Sequence, residues 1–164
     1  DLDALLLLLS DVDSQGDYLP LSMPSEANIK REFSDNGFIS ENSIRYLITD
    51  REDKILGSIW AFKSTPYYDA VEVGYQIFAT EHRGRGFATE ALRLMSDYIF
   101  ESKQVNRVEV RVARENMGSL KVARKLGFSE EGINRQAAFS RGRLHDMHVF
   151  AMLRAEWQSG QLSP

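Results

Sequence analysis

The stretch Glu72–Ala91, EVGYQIFATEHRGRGFATEA, decides the fold. It opens as a strand. By the two-residue period of β side chains, Glu72, Gly74 and Gln76 face one side of a sheet and Val71, Val73, Tyr75 and Ile77 the other. A polar break from Ala79 to His82 precedes Arg83-Gly84-Arg85-Gly86, after which the sequence takes on helical periodicity. Phe87, Ala88, Ala91, Met95, Tyr98 and Ile99 form one apolar stripe, with Glu90, Arg93 and Asp97 opposite.

A strand, a glycine-bearing turn and a helix N-terminus together make an anion site. The first amides of a helix lack intrahelical partners and carry the positive end of its dipole. Gly84 and Gly86 allow those amides to turn towards a ligand with no Cβ in the way, and Arg83 and Arg85 add charge. A plain solvated loop is the competing reading, and the glycines alone leave it ahead. Their place between a strand and a helix favours phosphate. No G-x-x-x-x-G-K-[ST] is present, and Thr89 stands where G-x-G-x-x-G needs its third glycine, so neither a P-loop nor a dinucleotide fingerprint is encoded.

At 164 residues the chain is expected to form a single domain over 1–164, large enough for a core without metal or disulfide support. It has no cysteine, which excludes thiolate nucleophiles and Cys-based zinc sites. Its three histidines, His82, His145 and His148, lack H-E-x-x-H spacing, so no metal is expected. A net charge of −4 and a pI near 5.4 argue against nucleic acid and anionic membranes as partners. The run Leu5–Leu9 is too short to span a bilayer and has no basic flank, so a cytoplasmic location is expected.

In chain order, Asp3 caps a leucine-rich helix to Ser10, pressed into the core by its all-round apolarity. A second helix runs from Pro24 to about Asp35 and closes at Asn36-Gly37. Ile44–Thr49 and Lys54–Lys63 read as antiparallel strands, followed by the strand Val71–Phe78 and the helix Phe87–Glu101. Arg107–Ala113 alternates, with Val108, Val110 and Val112 on one face and Glu109 and Arg111 on the other. Asn116–Leu126 is a helix ending at Gly127, and a hairpin of strands at Glu131–Phe139 and Met147–Leu153 completes the chain. The order ααβββαβαββ describes an α+β domain.

Arg83, Gly86 and Ala88 fit R-x-x-G-x-A, which resembles the pyrophosphate-binding signature of the GCN5-related N-acetyltransferase (GNAT) superfamily. Asn116, Ser119 and Leu126-Gly127-Phe128 resemble that family's second block, N-x-x-S followed by L-G-F. Together with Glu-Val-Gly-Tyr and RGRGFATEAL they resemble the branch of ribosomal-protein alanine and serine N-terminal acetyltransferases, over roughly Ile44 to Trp157. The resemblance implies a mostly antiparallel twisted sheet, splayed between the strands at 71–78 and 107–113 and flanked by helices. It also implies acetyl-coenzyme A as donor and a primary amine as acceptor, a protein N-terminus or a small molecule. The strand with which this superfamily normally opens has no counterpart in the sequence, which leaves a sheet edge to be covered.

Direct attack of an amine on a thioester needs a proton acceptor, because free α-amines titrate near about 8 and lysine amines near about 10.4. Glu72 lies eleven residues before Arg83, where the resemblance implies the proton acceptor, acting through water, with a solvated surface glutamate as the alternative. Ser119, on the apolar stripe with Val122, Ala123 and Leu126, is the candidate donor to the thiolate. Ala123 occupies the position at which many relatives carry a tyrosine, so that donor is missing here. Asn116 is expected to cap its helix, to contact the pantetheine arm, or both. The resemblance further implies that Ile77 and Phe78 hydrogen-bond the pantetheine through their backbone, with a Phe78 N–H near the thioester oxygen. Arg83, Gly84, Arg85, Gly86 and the first-turn residues Phe87, Ala88 and Thr89 would bind the pyrophosphate. Trp60, Tyr67, Tyr68 and Asp146 are candidates for the acceptor side, although aromatics at strand spacing are usually core. A coenzyme A sensor without catalysis, and an RNA-contact loop disfavoured by the acidic pI, are the rival readings. A monomer and a homodimer are both compatible with the sequence.

Overall fold

The computed structural model describes residues 2–160. Its elements are α1 (Leu2–Ser10), α2 (Glu26–Asn36), β1 (Ser43–Thr49), β2 (Ile55–Phe62), β3 (Ala70–Ile77), α3 (Phe87–Ser102), β4 (Arg107–Ala113), α4 (Met117–Lys125), β5 (Ser129–Ser140), β6 (Arg143–Leu153) and α5 (Arg154–Gln158). One six-stranded sheet has the order β1-β2-β3-β4-β6-β5, and only β3 and β4 run parallel. A parallel pair needs a crossover, and α3 supplies it. None of the described helices is long and apolar enough to cross a membrane.

The core lies between one face of the sheet and α3 and α4. Val73 and Ile77 of β3, Val108, Val110 and Val112 of β4, and Phe150 and Met152 of β6 meet Leu92, Met95, Ile99, Phe100, Leu120 and Ala123. Each large aliphatic side chain buried there contributes about 1.5–3 kcal/mol. Of the α3 stripe that the sequence suggests, Phe87, Ala88, Ala91, Met95 and Ile99 lie in or against the core, and Tyr98 does not. Leu92 and Phe100 are fully buried, whereas Tyr98 is exposed and packs edge-on against Tyr46 of β1. The sheet lies beneath the Leu92–Met95–Ile99 line, a choice that periodicity along one helix cannot make.

The helix α1 also departs from expectation. Asp3 lies within its first turn, and only Leu5 and Leu6 are buried while Leu7 is 75% exposed. One stripe of this nine-residue helix is buried, Leu2, Leu8 and Leu9 are half-buried, and Leu7 faces outward. In α2 the chain closes as expected, with Gly37 left-handed at the C-cap. The final hairpin is longer than its alternation suggested, turning at Arg141-Gly142.

No described strand precedes α1, and β1 forms the sheet edge. Residues 38–40 fold back over its first part, where the Arg45 N–H donates to the Phe38 carbonyl at 3.0 Å and Ile39 bridges Ile44. At the centre, β3 pairs with β4 through only three residues, Ala70–Glu72 with Arg107–Glu109, while its pairing with β2 continues to Ile77. Beyond Glu72 the two parallel strands part. The gap between them positions everything that follows.

Candidate functional site

Strand register decides which backbone groups face the gap. The Phe78 N–H donates to the Leu56 carbonyl at 3.0 Å, so it belongs to the β2 ladder and is not free for a thioester oxygen. Pairing continues one residue past β3, which corrects the sequence-based expectation. Antiparallel ladders alternate, so Gly74 and Gln76 share the parity of Phe78 and bond β2, while the amides of Tyr75 and Ile77 point into the gap.

The RGRG turn closes the end of the gap beyond Ile77. Gly84 and Gly86 have φ of 72° and 93°, a region that side-chain-bearing residues avoid, and open space lies where either Cβ would project. Gly86 is the N-cap of α3 and no side chain caps the helix. Its first intrahelical bond runs from the Glu90 N–H to the Gly86 carbonyl at 3.0 Å, leaving the amides of Phe87, Ala88 and Thr89 ahead of it. The two arginines divide the work. Arg83 turns back, with Nε donating to the Ile77 carbonyl at 3.1 Å and a terminal nitrogen to the Phe78 carbonyl at 3.2 Å. Arg85 stays exposed with its guanidinium 5.6 Å from the Phe87 ring centre. Arg83 pins the turn to the strand, and Arg85 is the outward cation.

On the helical side of the gap, the Asn116 side chain accepts from the Ser119 N–H at 3.1 Å, so Asn116 is the N-cap of α4. Ser119 lies in the first turn beside the Tyr75 phenol of β3. That phenol oxygen is buried and, among the described residues, completes no hydrogen bond. Burial pushes the Tyr75 hydroxyl up to about 12, against the pull of the neighbouring Ser119 hydroxyl. Ala123, one turn further on, is fully buried and carries no polar group.

The opposite face of the sheet is charged. Glu72 pairs with Arg111, which also donates to Glu109 at 3.0 Å, and Arg107 joins Glu109 at 2.8 Å to Glu131. Glu109 is only 3% exposed and is held between the two guanidiniums. Burial raises the Glu72 carboxyl above the ordinary glutamate range, and Arg111 opposes the shift. Beside this network the Trp60 indole lies over Gly74, with Arg45 5.0 Å from its ring centre.

Other candidates stand apart. Tyr67 and Tyr68 pack edge-on, 5.0 Å apart, in the loop before β3, at the opposite end of that strand from the RGRG turn. Tyr67 is 83% exposed. Asp146 accepts from the Gln136 N–H at 2.9 Å at the β5 irregularity and lies 3.7 Å from Arg114, so its carboxylate is engaged in the hairpin. Sequence reading missed two partners, Arg111 for Glu72 and Arg45 for Trp60, and the buried phenol of Tyr75. The β alternation already placed Tyr75 on the Ile77 side, but pairing across elements leaves no sequence signal.

The residues fit a coenzyme A-like ligand on three counts: uncapped amides after Gly86, amides of Tyr75 and Ile77 facing an open gap, and a buried phenol that completes no hydrogen bond among the described residues. A profile described as acetyltransferase (GNAT) domain matches residues 1–129. The chain belongs to the GNAT acetyltransferase family. Among its GNAT relatives is an uncharacterized N-acetyltransferase, p20, of Bacillus licheniformis, 33% identical over 111 residues that cover 68% of this chain and 62% of that protein. The putative ribosomal N-acetyltransferase YdaF of Bacillus subtilis is 38% identical over 87 residues, 53% of this chain and 47% of YdaF. The chain thus spans less than two thirds of the length of these relatives. The GNAT fold is shared with the spermidine N-acetyltransferase of Vibrio cholerae, solved with CoA and spermine, at a TM-score of 0.81 over 96% of this chain and 92% of that one, with 21% identity.

Proposed function

We propose that this GNAT chain is an acetyl-CoA-dependent N-acetyltransferase that carries an acetyl group directly to a primary amine, with no covalent enzyme intermediate. The observation that carries the reading is the gap beyond Glu72, which ends at an uncapped helix N-terminus bearing two left-handed glycines. Acetyl-CoA supplies the activated acyl group and its own pyrophosphate handle. The amides of Phe87, Ala88 and Thr89, with the charge of Arg85, hold the pyrophosphate. Tyr75 and Ile77 offer backbone amides to the pantetheine arm.

The proton-handling groups lie on either side of the sheet. Glu72, on the charged face with Trp60 and Arg111, takes the amine proton through water, and its raised pKa brings it nearer to neutrality. Ser119, on the α4 face, donates to the departing sulfur. The acceptor is a protein N-terminus or a small amine. Relatives support both, being named a ribosomal-protein-serine acetyltransferase in Escherichia coli and a spermidine N(1)-acetyltransferase in V. cholerae.

Calorimetry with acetyl-CoA, 3′-dephospho-CoA and pantetheine tests the cofactor reading, followed by a panel of peptide N-termini and polyamines. Binding that depends on the pyrophosphate portion, together with turnover on one amine class, is the expected result. Failure of acetyl-CoA to bind would remove the assignment.

A further inference from the structure

On the charged face of the sheet, Arg45 forms no ion pair among the described residues. Strand register sets Arg45 of β1 opposite Trp60 of β2, and Trp60 opposite Gly74 of β3. Directly paired residues share a face, so Arg45 and Trp60 lie on the side that carries Glu72 and Gln76. The carboxylates there are engaged: Arg111 pairs with both Glu72 and Glu109, and Arg107 pairs with Glu109. Arg45 is half-buried, with its guanidinium 5.0 Å from the Trp60 ring centre. Its one described side-chain hydrogen bond reaches the Ser58 hydroxyl at 3.5 Å, too long to satisfy a charged donor. Burial pulls the guanidinium below the ordinary arginine pKa, and the attraction of Glu32 on α2 opposes this. A cation drawn partly out of water calls for an anion, and a guanidinium seated over an indole keeps its N–H fork for a carboxylate.

We propose that Arg45 sets acceptor specificity by binding a carboxylate of the substrate, so that the acetyl acceptor is an amine that also carries an acid. A free amino acid and a peptide N-terminus with an acidic side chain in its first residues share this chemistry. The inference rests on the acetyltransfer reading above and names its substrate class. Two strand spacings of about 4.8 Å and two residues of about 3.4 Å put the Cα atoms of Arg45 and Glu72 about 12 Å apart. The two side chains and one water at Glu72 close most of that distance, which leaves room for an amine and a carboxylate a few bonds apart. The Trp60 indole, lying over Gly74, forms the floor between them. A polyamine suits this face poorly. Its further ammonium groups need free carboxylates, whereas Glu72 and Glu109 are held by arginines and Arg45 repels a cation. Arg45 takes no part in proton transfer.

The test sets matched acceptors against each other. Alanine against alaninamide probes a free amino acid, C-terminally amidated Ser-Glu-Ala-Ala against Ser-Gln-Ala-Ala probes a peptide, and spermidine probes a polycation. In one of the first two arms the acid should exceed both its amide and spermidine at least about tenfold in kcat/KM, mostly through KM, as for one charge-assisted contact. Arg45→Met should raise the KM of the acid to that of its amide while acetyl-CoA binds as before, and Arg45→Glu should reverse the preference. Calorimetry of the acid acceptor on the CoA complex reads the same loss without turnover. Should Arg45→Met fail to fold, Arg45→Lys, which keeps the charge and loses the fork, should retain a reduced preference. Equal use of acid and amide, turnover confined to spermidine or absent from both acid arms, or a loss in Arg45→Met that falls alike on acid and amide would overturn the inference. Failure of the wild-type protein to bind acetyl-CoA would instead remove the reading beneath it.

Discussion

The Trp60 indole lies flat against the Cα of Gly74 on the neighbouring strand, so closely that a Cβ at 74 would fall 2.6 Å from Nε1 and Cε2. The glycine is therefore a packing partner. Gly74→Ala should cost about 1–3 kcal/mol as the indole and its Arg45 neighbour are displaced. Trp60→Ala should relieve most of that cost in the double variant, which urea denaturation can measure. Equal destabilisation by Gly74→Ala with and without Trp60 would show that the contact is not the cause.

At Gly86 two effects are separable. A φ of 93° costs any side-chain-bearing residue about 1–2 kcal/mol, and an acid adds repulsion to a bound anion. Gly86→Ala should lower stability with a modest loss of CoA affinity, whereas Gly86→Asp should raise the Kd at least about tenfold more. Calorimetry on variants checked for folding decides this, and an unchanged affinity in Gly86→Asp would place the pyrophosphate elsewhere.

The two arginines of the turn should give opposite phenotypes. Arg83→Met removes donors to the Ile77 and Phe78 carbonyls and should destabilise the protein by about 1–2 kcal/mol. Arg85→Ala should leave stability within about 0.5 kcal/mol but reduce CoA affinity, with a weaker dependence on ionic strength. Melting curves and titrations at two salt concentrations would reveal an exchange of these roles.

Glu72 should set the acid limb of activity. Its folded pKa is raised by burial, so the base is lost as pH falls through a value above the ordinary 4.5. The stability consequence has the opposite direction. A raised folded pKa favours the folded state most below the unfolded value, and that advantage is lost as pH rises through the folded one. Glu72→Gln should therefore abolish the acid limb of kcat/KM and flatten the stability profile in the same window. An unshifted limb would point to a water chain as the proton acceptor.

Much of this was legible because it is local. Alternation of Val108, Val110 and Val112 marked β4 residue for residue, and Asn116 before Ser119 announced a cap that the structure contains. The strand–glycine–helix order around Gly86 was visible for the same reason: φ, capping and dipole depend on a few neighbouring residues. The stripe on α3 was right at Phe87, Ala88, Ala91, Met95 and Ile99 but took in Tyr98 and left out Leu92 and Phe100, because only the position of the sheet decides which flank of the stripe is covered.

The sequence by itself determined the element order as far as β6, the turn of Gly84 and Gly86, and the family, while α5 went unread. The order and the turn follow from backbone preferences and periodicity over short spans, and the family from its motifs around Arg83–Ala88 and Asn116–Phe128. Only the tertiary structure decided that β3 and β4 part after Glu72, that Phe78 belongs to β2, that Arg83 bonds the carbonyls of Ile77 and Phe78 and that Glu72 pairs with Arg111. Those relations join residues far apart in the chain, and strand register and burial create them only once the sheet has closed over its core.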